Sequence, residues 1–589
     1  MKDFLKYTLA TIVGIILTSI IITVICIISL AGMMASEGAS GSVEKNSVLR
    51  IKLDGEVVER AGEGSPLDIL SQGEQSTIGL DQALDAISKA AKNDNVKGIY
   101  LEAGSLAAYP ADMQEMRQAL LKFKESGKWI VAYGDSYSRG AYYLCSVADE
   151  VFLNPSGTID WTGMASLPIF YTGLMEKVGV KMQVFKVGTY KSAVEPFINK
   201  EMSEANREQV KSYLGSMWNN MQKEVAASRK LSVETLNAFA DSTSLLSEAN
   251  VYVKNKLADK VGYLSDVKEN LRQRLELGED DDMNFTTLAD VAASDDLGDK
   301  VDEEVAVYYA YGEINDNPSM GFDQEHCITT DETLTNLQKL RKDKDVKAVV
   351  IRVNSPGGSA FASEQIWHEV QLLRAEKPVV VSMGGVAASG GYYISCGANK
   401  IYADPMTLTG SIGIFGMIPD ASELLTQKLG LTFDVVKTNA MSDFGAMGRP
   451  FNAGEAAKLQ NYINNGYELF TGRVAGGRGL AQDSVKTIAE GRVWTGEQAI
   501  KIGLVDKLGN LDEAIKAAAE LAEVEKYTIG RYPSPTPWYM SILDKEKNSY
   551  MEGKMRAALG EYYPAFALIR RIGKMNPVQA RMPFDPNIK

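Results

Sequence analysis

An internal repeat is the strongest constraint on this chain. GAYYLCSVADEVFLNP, from Gly140, aligns with GGYYISCGANKIYADP, from Gly390, at an offset of 250 with five of sixteen positions identical. The same offset aligns DNVKGIYLEA, from Asp94, with KDVKAVVIRV, from Lys344, and an offset of 247 aligns LADKVGYL, from Leu257, with LVDKLGNL, from Leu504. A repeat of this length predicts two copies of one architecture. In the second copy AVVIRV at 348–353 and PVVVSM at 378–383 have the β-branched run of strands buried on both faces. Between them SEQIWHEVQLLRAE, from Ser363, spaces apolar residues as a helix does and opens with a capping serine. Strand–helix alternation predicts an α/β fold with a parallel sheet covered on both sides. The expected division is 47–275 for the first domain, 276–302 for an exposed acidic connector, 303–530 for the second domain and 531–589 for a tail.

The places where the copies diverge point to chemistry. The strand at 378–383 runs into GGVAASGGYYIS, a turn of small residues around Ser389 with a helical pattern starting at Gly390. That arrangement suits a nucleophile exposed at a strand–turn–helix junction, beside free helix N–H groups. Upstream, the strand IRVN ends in SPGGSA, where Gly357 and Gly358 let backbone N–H groups approach a ligand, as an oxyanion hole requires. Opposite Ser389 the first copy has Arg139, and opposite Pro356, Gly357 and Gly358 it has Leu106, Ala107 and Ala108. The reverse loss occurs at Lys191, in GTYKSAVEPF, which aligns with Ser442. One copy keeps a serine and the other a lysine, which predicts one composite site built from both. Lysine serves as a base only where burial lowers its pKa from about 10.4 toward neutrality.

Composition narrows the alternatives. With 62 Lys+Arg against 76 Asp+Glu the net charge is −14, which excludes a general nucleic-acid binder. The 45% hydrophobic content excludes a disordered chain. Histidine occurs only at His326 and His368, so a His-rich metal site is excluded and a Ser-His-Asp triad is hard to build; His368, in WHEV, reads as a helix face. Four scattered cysteines make neither a disulfide framework nor a CxxC site. No metal and no cofactor are expected.

Tyr7 to Met34 carries no charge. As a helix it would be about 42 Å long, enough to cross a hydrocarbon core of about 30 Å. Lys2 and Lys6 precede it and Glu37 is the first charge after it, which predicts a retained signal-anchor in residues 1–35 with a cytoplasmic N-terminus. Residues 36–46 read as a tether to domains on the outer face of the membrane.

GTYKSAVEPF from Gly188, NSPGGS from Asn354, AASGGYYIS from Ala387, TGSIGIFG from Thr409 and RVWTGEQAIKIGLVDKLG from Arg492 resemble, in order, the motifs of the signal peptide peptidase A (protease IV) family in its long, duplicated, membrane-anchored form. The resemblance implies a ClpP/crotonase-like fold in tandem and a Ser-Lys dyad endopeptidase that digests remnant signal peptides and other apolar peptides. It also implies a homo-oligomeric bowl, a tetramer in the family, on the cytoplasmic (inner) membrane. By that resemblance Ser389 is the nucleophile and Lys191 the base, the oxyanion donors are the N–H groups of Gly358 and Gly390 with Gly357 as a third candidate, and Ser411 orients the Lys191 amine. Small and apolar residues (Gly384, Gly385, Val386, Ile412, Ile414, Phe415) are expected to line an apolar groove. A non-catalytic membrane scaffold of the same fold is the competing reading. The tail, with mixed aromatic and basic residues such as Tyr562 and Arg570, is expected against a neighbouring subunit, in the bowl or on a membrane surface.

Overall fold

Each half of the chain builds its own parallel sheet. In the first, Ser47–Val58 lies beside Val96–Ala107, then come Trp129–Gly134, Glu150–Leu153 and Lys260–Val261. In the second the order recurs as Glu304–Tyr311, Val346–Ser355, Val379–Ala388, Lys400–Ala403 and Lys507–Leu508. The computed structural model describes residues 43–61, 77–242, 244–278, 281–294, 301–316, 326–534 and 577–582, with Tyr7, Thr11, Gly14, Thr18 and Ser19. Apart from those five positions the expected signal-anchor, with most of the tether, lies outside the described residues, among which no helix is long and apolar enough to cross a membrane.

The strand sequences follow from what covers them. Val379–Ala388 is buried at every position. Val379, Val381 and Met383 pack with Ile366, Val370 and Leu373 of the helix Ala360–Glu376, while Val380 between them faces Ala514 and Ala518 of the helix Leu511–Leu521. Burial on both faces is why the run shows no polar alternation. The Ala360–Glu376 helix starts three residues before the expected Ser363. Its cap is Ser359, whose hydroxyl accepts from the Ala362 N–H at 3.1 Å, and the Ser363 hydroxyl instead donates to the Ser359 carbonyl at 2.7 Å. The duplication extends to single bonds: the Tyr142 hydroxyl donates to the Leu257 carbonyl and the Tyr392 hydroxyl to the Leu504 carbonyl, each at 2.9 Å.

Residues 276–302 do more than connect. Asn284–Thr286 adds a parallel strand beside Ser47–Leu49, and Thr287 caps the short helix Leu288–Ala292 through a capping box with Asp290. Lys89 fastens that helix by donating to the Ala292 carbonyl at 2.7 Å. The surrounding acidic charge masks this local Thr-Leu-Ala-Asp signal.

A third sheet joins the halves, in the order Cys327–Thr329, Glu313–Asn315, Gly357–Ser359, Val578–Arg581, Phe415–Asp420, Lys181–Lys186. Lys181–Lys186 of the first half pairs antiparallel with Phe415–Asp420 of the second over six residues. From the strand Val346–Ser355 of the second half Arg352, with no exposed surface, reaches to Glu115 at 2.7 and 2.8 Å and to Glu59 at 2.7 Å, both of the first half. Burial opposes the Arg352 charge, but Glu115 and Glu59 hold it well in place. Burial, with Glu59 beside Asp112 and Glu115 beside Asp404, pushes those two aspartates well above the usual carboxylate range.

Candidate active site

Ser389 closes the Val379–Ala388 strand and caps the helix Gly390–Ser395. Its φ of 55° and ψ of −109° place a non-glycine residue in a strained conformation costing about 1–3 kcal/mol. The backbone is held there because the Ser389 N–H donates to the Gly410 carbonyl at 2.8 Å and the Ser389 carbonyl accepts from Tyr393 at 2.8 Å. The side chain makes no capping bond to its own helix, so the hydroxyl is free to face elsewhere.

It faces Lys191. Nζ of Lys191 lies 2.7 Å from Ser389 Oγ, and both residues are fully buried. Nζ also lies 2.9 Å from the Ser411 carbonyl oxygen and 3.1 Å from the Ser411 hydroxyl. Burial alone pushes the Lys191 ammonium well below the usual lysine range. A neutral amine has two N–H bonds and one lone pair. Two acceptors on Ser411 and a hydroxyl donor on Ser389 match that inventory within one chain.

The lysine loop is positioned by Glu490, Gly491 and Gln209, which lie outside the motifs above, together with Arg492, which opens one of them. The Tyr190 N–H donates to the Glu490 carbonyl at 2.9 Å, Gly491 N–H to Ile412 at 2.8 Å, and Ser411 N–H to Arg492 at 2.7 Å. The segment 490–492 therefore ties Lys191 to the turn carrying Ser411. Gly491 has φ of 79°, and a Cβ there would stand 2.6 Å from Lys191 Cβ, so only glycine fits without displacing the lysine. A Glu-Gly-Arg sequence has no local signature of such a role; the positive φ and the long-range bonds appear only in three dimensions. From the other side, Gln209 donates to the Tyr190 carbonyl at 3.0 Å and accepts from Val493 N–H at 3.1 Å.

Gly357, Gly358 and Gly390 come together beside the serine. Gly357 adopts φ of 99°, and a Cβ there would stand 2.7 Å from Gly390 N. The three differ in availability: the Gly357 N–H donates to the Ser355 hydroxyl at 3.2 Å. Gly357 thus shapes the turn, leaving the amides of Gly358 and Gly390 as candidate donors. Of the expected groove residues, Val386, Ile412, Ile414 and Phe415 are buried, Phe415 within the third sheet and Val386 paired with Leu408 in the second. Gly384 and Gly385 instead face the first half, where an added Cβ would come 3.0 Å from Glu59 and 2.4 Å from Tyr109.

Several candidates stand apart from the site. Arg139, opposite Ser389 in the repeat, bonds to the Gly163 carbonyl, and Ser442, opposite Lys191, sits in an exposed turn. His368 lies exposed on the Ala360–Glu376 helix, and His326 stacks on Tyr311 at 3.6 Å.

Comparison with known sequences gives consistent relatives. The profile of peptidase family S49 matches residues 122–278 and 371–525, once in each half, and that of Clp protease matches residues 306–407. The chain is 36% identical to a Salmonella typhi protein named Protease 4, over 93% of this chain and 89% of that one. It is 34% identical to Protease 4 of Haemophilus influenzae, over 86% and 84% of the two chains. It is 30% identical to Serine protease SPPA, chloroplastic, of Arabidopsis thaliana, over 85% and 73%.

Proposed function

This chain belongs to peptidase family S49 and is a serine endopeptidase, and from that premise we propose that Ser389 is its nucleophile and Lys191 its general base. The observation that carries the reading is the 2.7 Å contact between Nζ and Oγ, made by fully buried residues from opposite halves. Neutral Lys191, its N–H bonds directed to Ser411, takes the hydroxyl proton as Ser389 Oγ attacks the scissile carbonyl. The developing oxyanion is met by the N–H groups of Gly358 and Gly390, each contributing about 3–4 kcal/mol to the transition state. Lys191 then gives its proton to the leaving amine and next accepts one from the water that hydrolyses the acyl-enzyme.

The division of labour assigns the lysine to an N-terminal domain of residues 47–275 and the serine with its oxyanion donors to a C-terminal domain of residues 303–530. The uncharged run Tyr7–Met34 supports anchoring in the cytoplasmic membrane with both domains on its outer face. Apolar peptides such as cleaved signal peptides then suit a groove bordered by Val386, Ile412 and Phe415. The exposed Leu429, Leu431, Phe433, Val435 and Val436 on one short stretch support a homo-oligomer, a tetramer by family resemblance.

The test is hydrolysis of a fluorogenic apolar peptide by wild type, Ser389→Ala and Lys191→Ala. Both variants lose on the order of 10⁴-fold or more in kcat. Retained activity in Lys191→Ala would place the base elsewhere, and silence of all three would favour the scaffold reading.

A further inference from the structure

The strand that ends at Ser389 does not run straight. Val353 pairs with Met383 and Ser355 with Ala387, so the single residue Asn354 stands opposite three, Gly384, Gly385 and Val386. On its other side the strand changes neighbour across the same stretch. Lys400–Ala403 pairs with it up to Met383, and Leu408–Gly410 pairs with it from Val386. A bulge of this kind leaves backbone groups without ladder partners and re-aims the residues beyond it. Side chains take those groups up. The Val386 N–H donates to Asn354 Oδ1 at 3.1 Å, and the Thr407 hydroxyl donates to the Gly384 carbonyl at 2.8 Å. Asn354 is in turn held from the other half of the chain: its Nδ2 donates to Glu59 Oε2 at 3.0 Å, while Glu59 Oε1 accepts from Arg352 Nε at 2.7 Å. All of these residues are buried, and the bulge lies directly on them. A Cβ on Gly384 would stand 3.0 Å from Glu59 Oε2 and 3.1 Å from Asn354 Cγ.

We propose that Asn354, oriented by Glu59 of the first half, is a positioning residue for Ser389, so that the first half serves the site through a second group besides Lys191. The inference rests on the reading of Ser389 as nucleophile. The orientation of the Asn354 amide is fixed by its partners. A backbone N–H only donates and a carboxylate only accepts, so the amide oxygen faces Val386 and the amide nitrogen faces Glu59. Val386 stands three residues before Ser389, and the intervening Ala387 and Ala388 pair with Thr409 and Gly410. The Gly410 carbonyl then accepts the Ser389 N–H. A shift of the bulge is therefore passed along a short, fully buried strand to the serine. The positive φ of Ser389 persists only where its surroundings over-determine it, and the bulge fixes the side from which the chain enters. At the position of Asn354 the first half has Gly104, so the copy without the serine also lacks the amide.

Steady-state hydrolysis of a fluorogenic apolar peptide by the full chain, with urea unfolding of each variant, tests this. Glu59→Gln keeps an oxygen for Arg352 but turns an NH2 group toward Asn354, whose amide must flip and present its own NH2 to Val386. kcat falls ~10²-fold while KM stays within ~3-fold of wild type, as for an attacking group displaced by about 1 Å. Adding Asn354→Asp to Glu59→Gln gives the new amide an acceptor and restores one to Val386, and kcat returns to within ~5-fold of wild type. Glu115→Gln loosens the same Arg352 on the side away from Asn354; it lowers stability and leaves kcat within ~3-fold of wild type. Wild-type kcat in Glu59→Gln, a double variant no faster than Glu59→Gln, or an equal loss of kcat in Glu115→Gln overturns the inference and leaves the dyad standing. If Glu59→Gln alone does not fold, Thr407→Val, which removes the hydroxyl bonded to Gly384, carries the test. A kcat ~10-fold lower at unchanged KM then supports the inference, and wild-type kcat overturns it. Activity that survives Ser389→Ala means that the nucleophile lies elsewhere, and the inference fails with that reading.

Discussion

The first half ends its strand Val96–Ala107 in Leu106 and Ala107 and passes through Ala108 into the helix Pro110–Lys124; at the same point the second half leaves its strand at Ser355 and passes through Pro356, Gly357 and Gly358 into Ala360–Glu376. The scaffold is common and the turn is not. With Cβ atoms at 107 and 108 the first half cannot adopt the close backbone approach that Gly357 makes toward Gly390. Its next junction carries Arg139 in place of a hydroxyl. What the first half supplies instead is reach: Lys181–Lys186 crosses into the sheet of its neighbour and delivers Lys191. In the proposed dyad each copy therefore supplies what the other lacks at the aligned position, Ser389 against Arg139 and Lys191 against Ser442.

The comparison breaks most visibly at the interface. Arg352 and Glu102 occupy equivalent strand positions, but Arg352 is buried between Glu59 and Glu115 while Glu102 makes a half-exposed pair with Arg50. Arg352→Leu leaves four acids packed together without a counter-charge and costs about 3–5 kcal/mol. Glu102→Ala costs about 1 kcal/mol or less. Urea unfolding of the two variants checks this, and equal effects would mean that the halves are not clasped through Arg352.

A smaller effect of the opposite sign belongs to Lys191. Its folded pKa is depressed by burial, so between that value and about 10.4 the unfolded chain binds the extra proton and folding is penalised. Lys191→Met removes the penalty. The variant melts above wild type at neutral pH, and the gap narrows as pH rises toward 10.4 and is gone above it. Ser442→Met, at the matching exposed position, shifts stability within about 0.5 kcal/mol at any pH. Thermal melts across pH 7–11 separate the two, and an Lys191→Met gap that widens with pH would contradict a neutral buried amine.

The α/β class and the tandem copies were legible because patterned strands and the repeat carry them, and Ser389 and Lys191 could be singled out as candidates from the difference between the copies before the fold brought them within 2.7 Å of each other. Three features were not. The Glu490–Arg492 segment works through backbone bonds and the positive φ of Glu490 and Gly491, which leave no residue pattern. Arg352 lies in a run that reads as an apolar strand, and its partners Glu59 and Glu115 are more than two hundred positions away. The Val578–Arg581 strand is four residues long in a tail of mixed composition, and its partners come from Gly357–Ser359 and Phe415–Gly416. Long-range pairing of short segments carries no periodicity to read.

The most direct test of a site split between the halves is acylation of the full chain by a peptidyl fluorophosphonate, with the labelled residue located by mass spectrometry as pH is varied. The account predicts a label on Ser389 alone, at a rate that rises through a pKa well below the ordinary lysine value, and no labelling in Lys191→Met. Labelling of another residue, or of Ser389 at an unchanged rate in Lys191→Met, would contradict it.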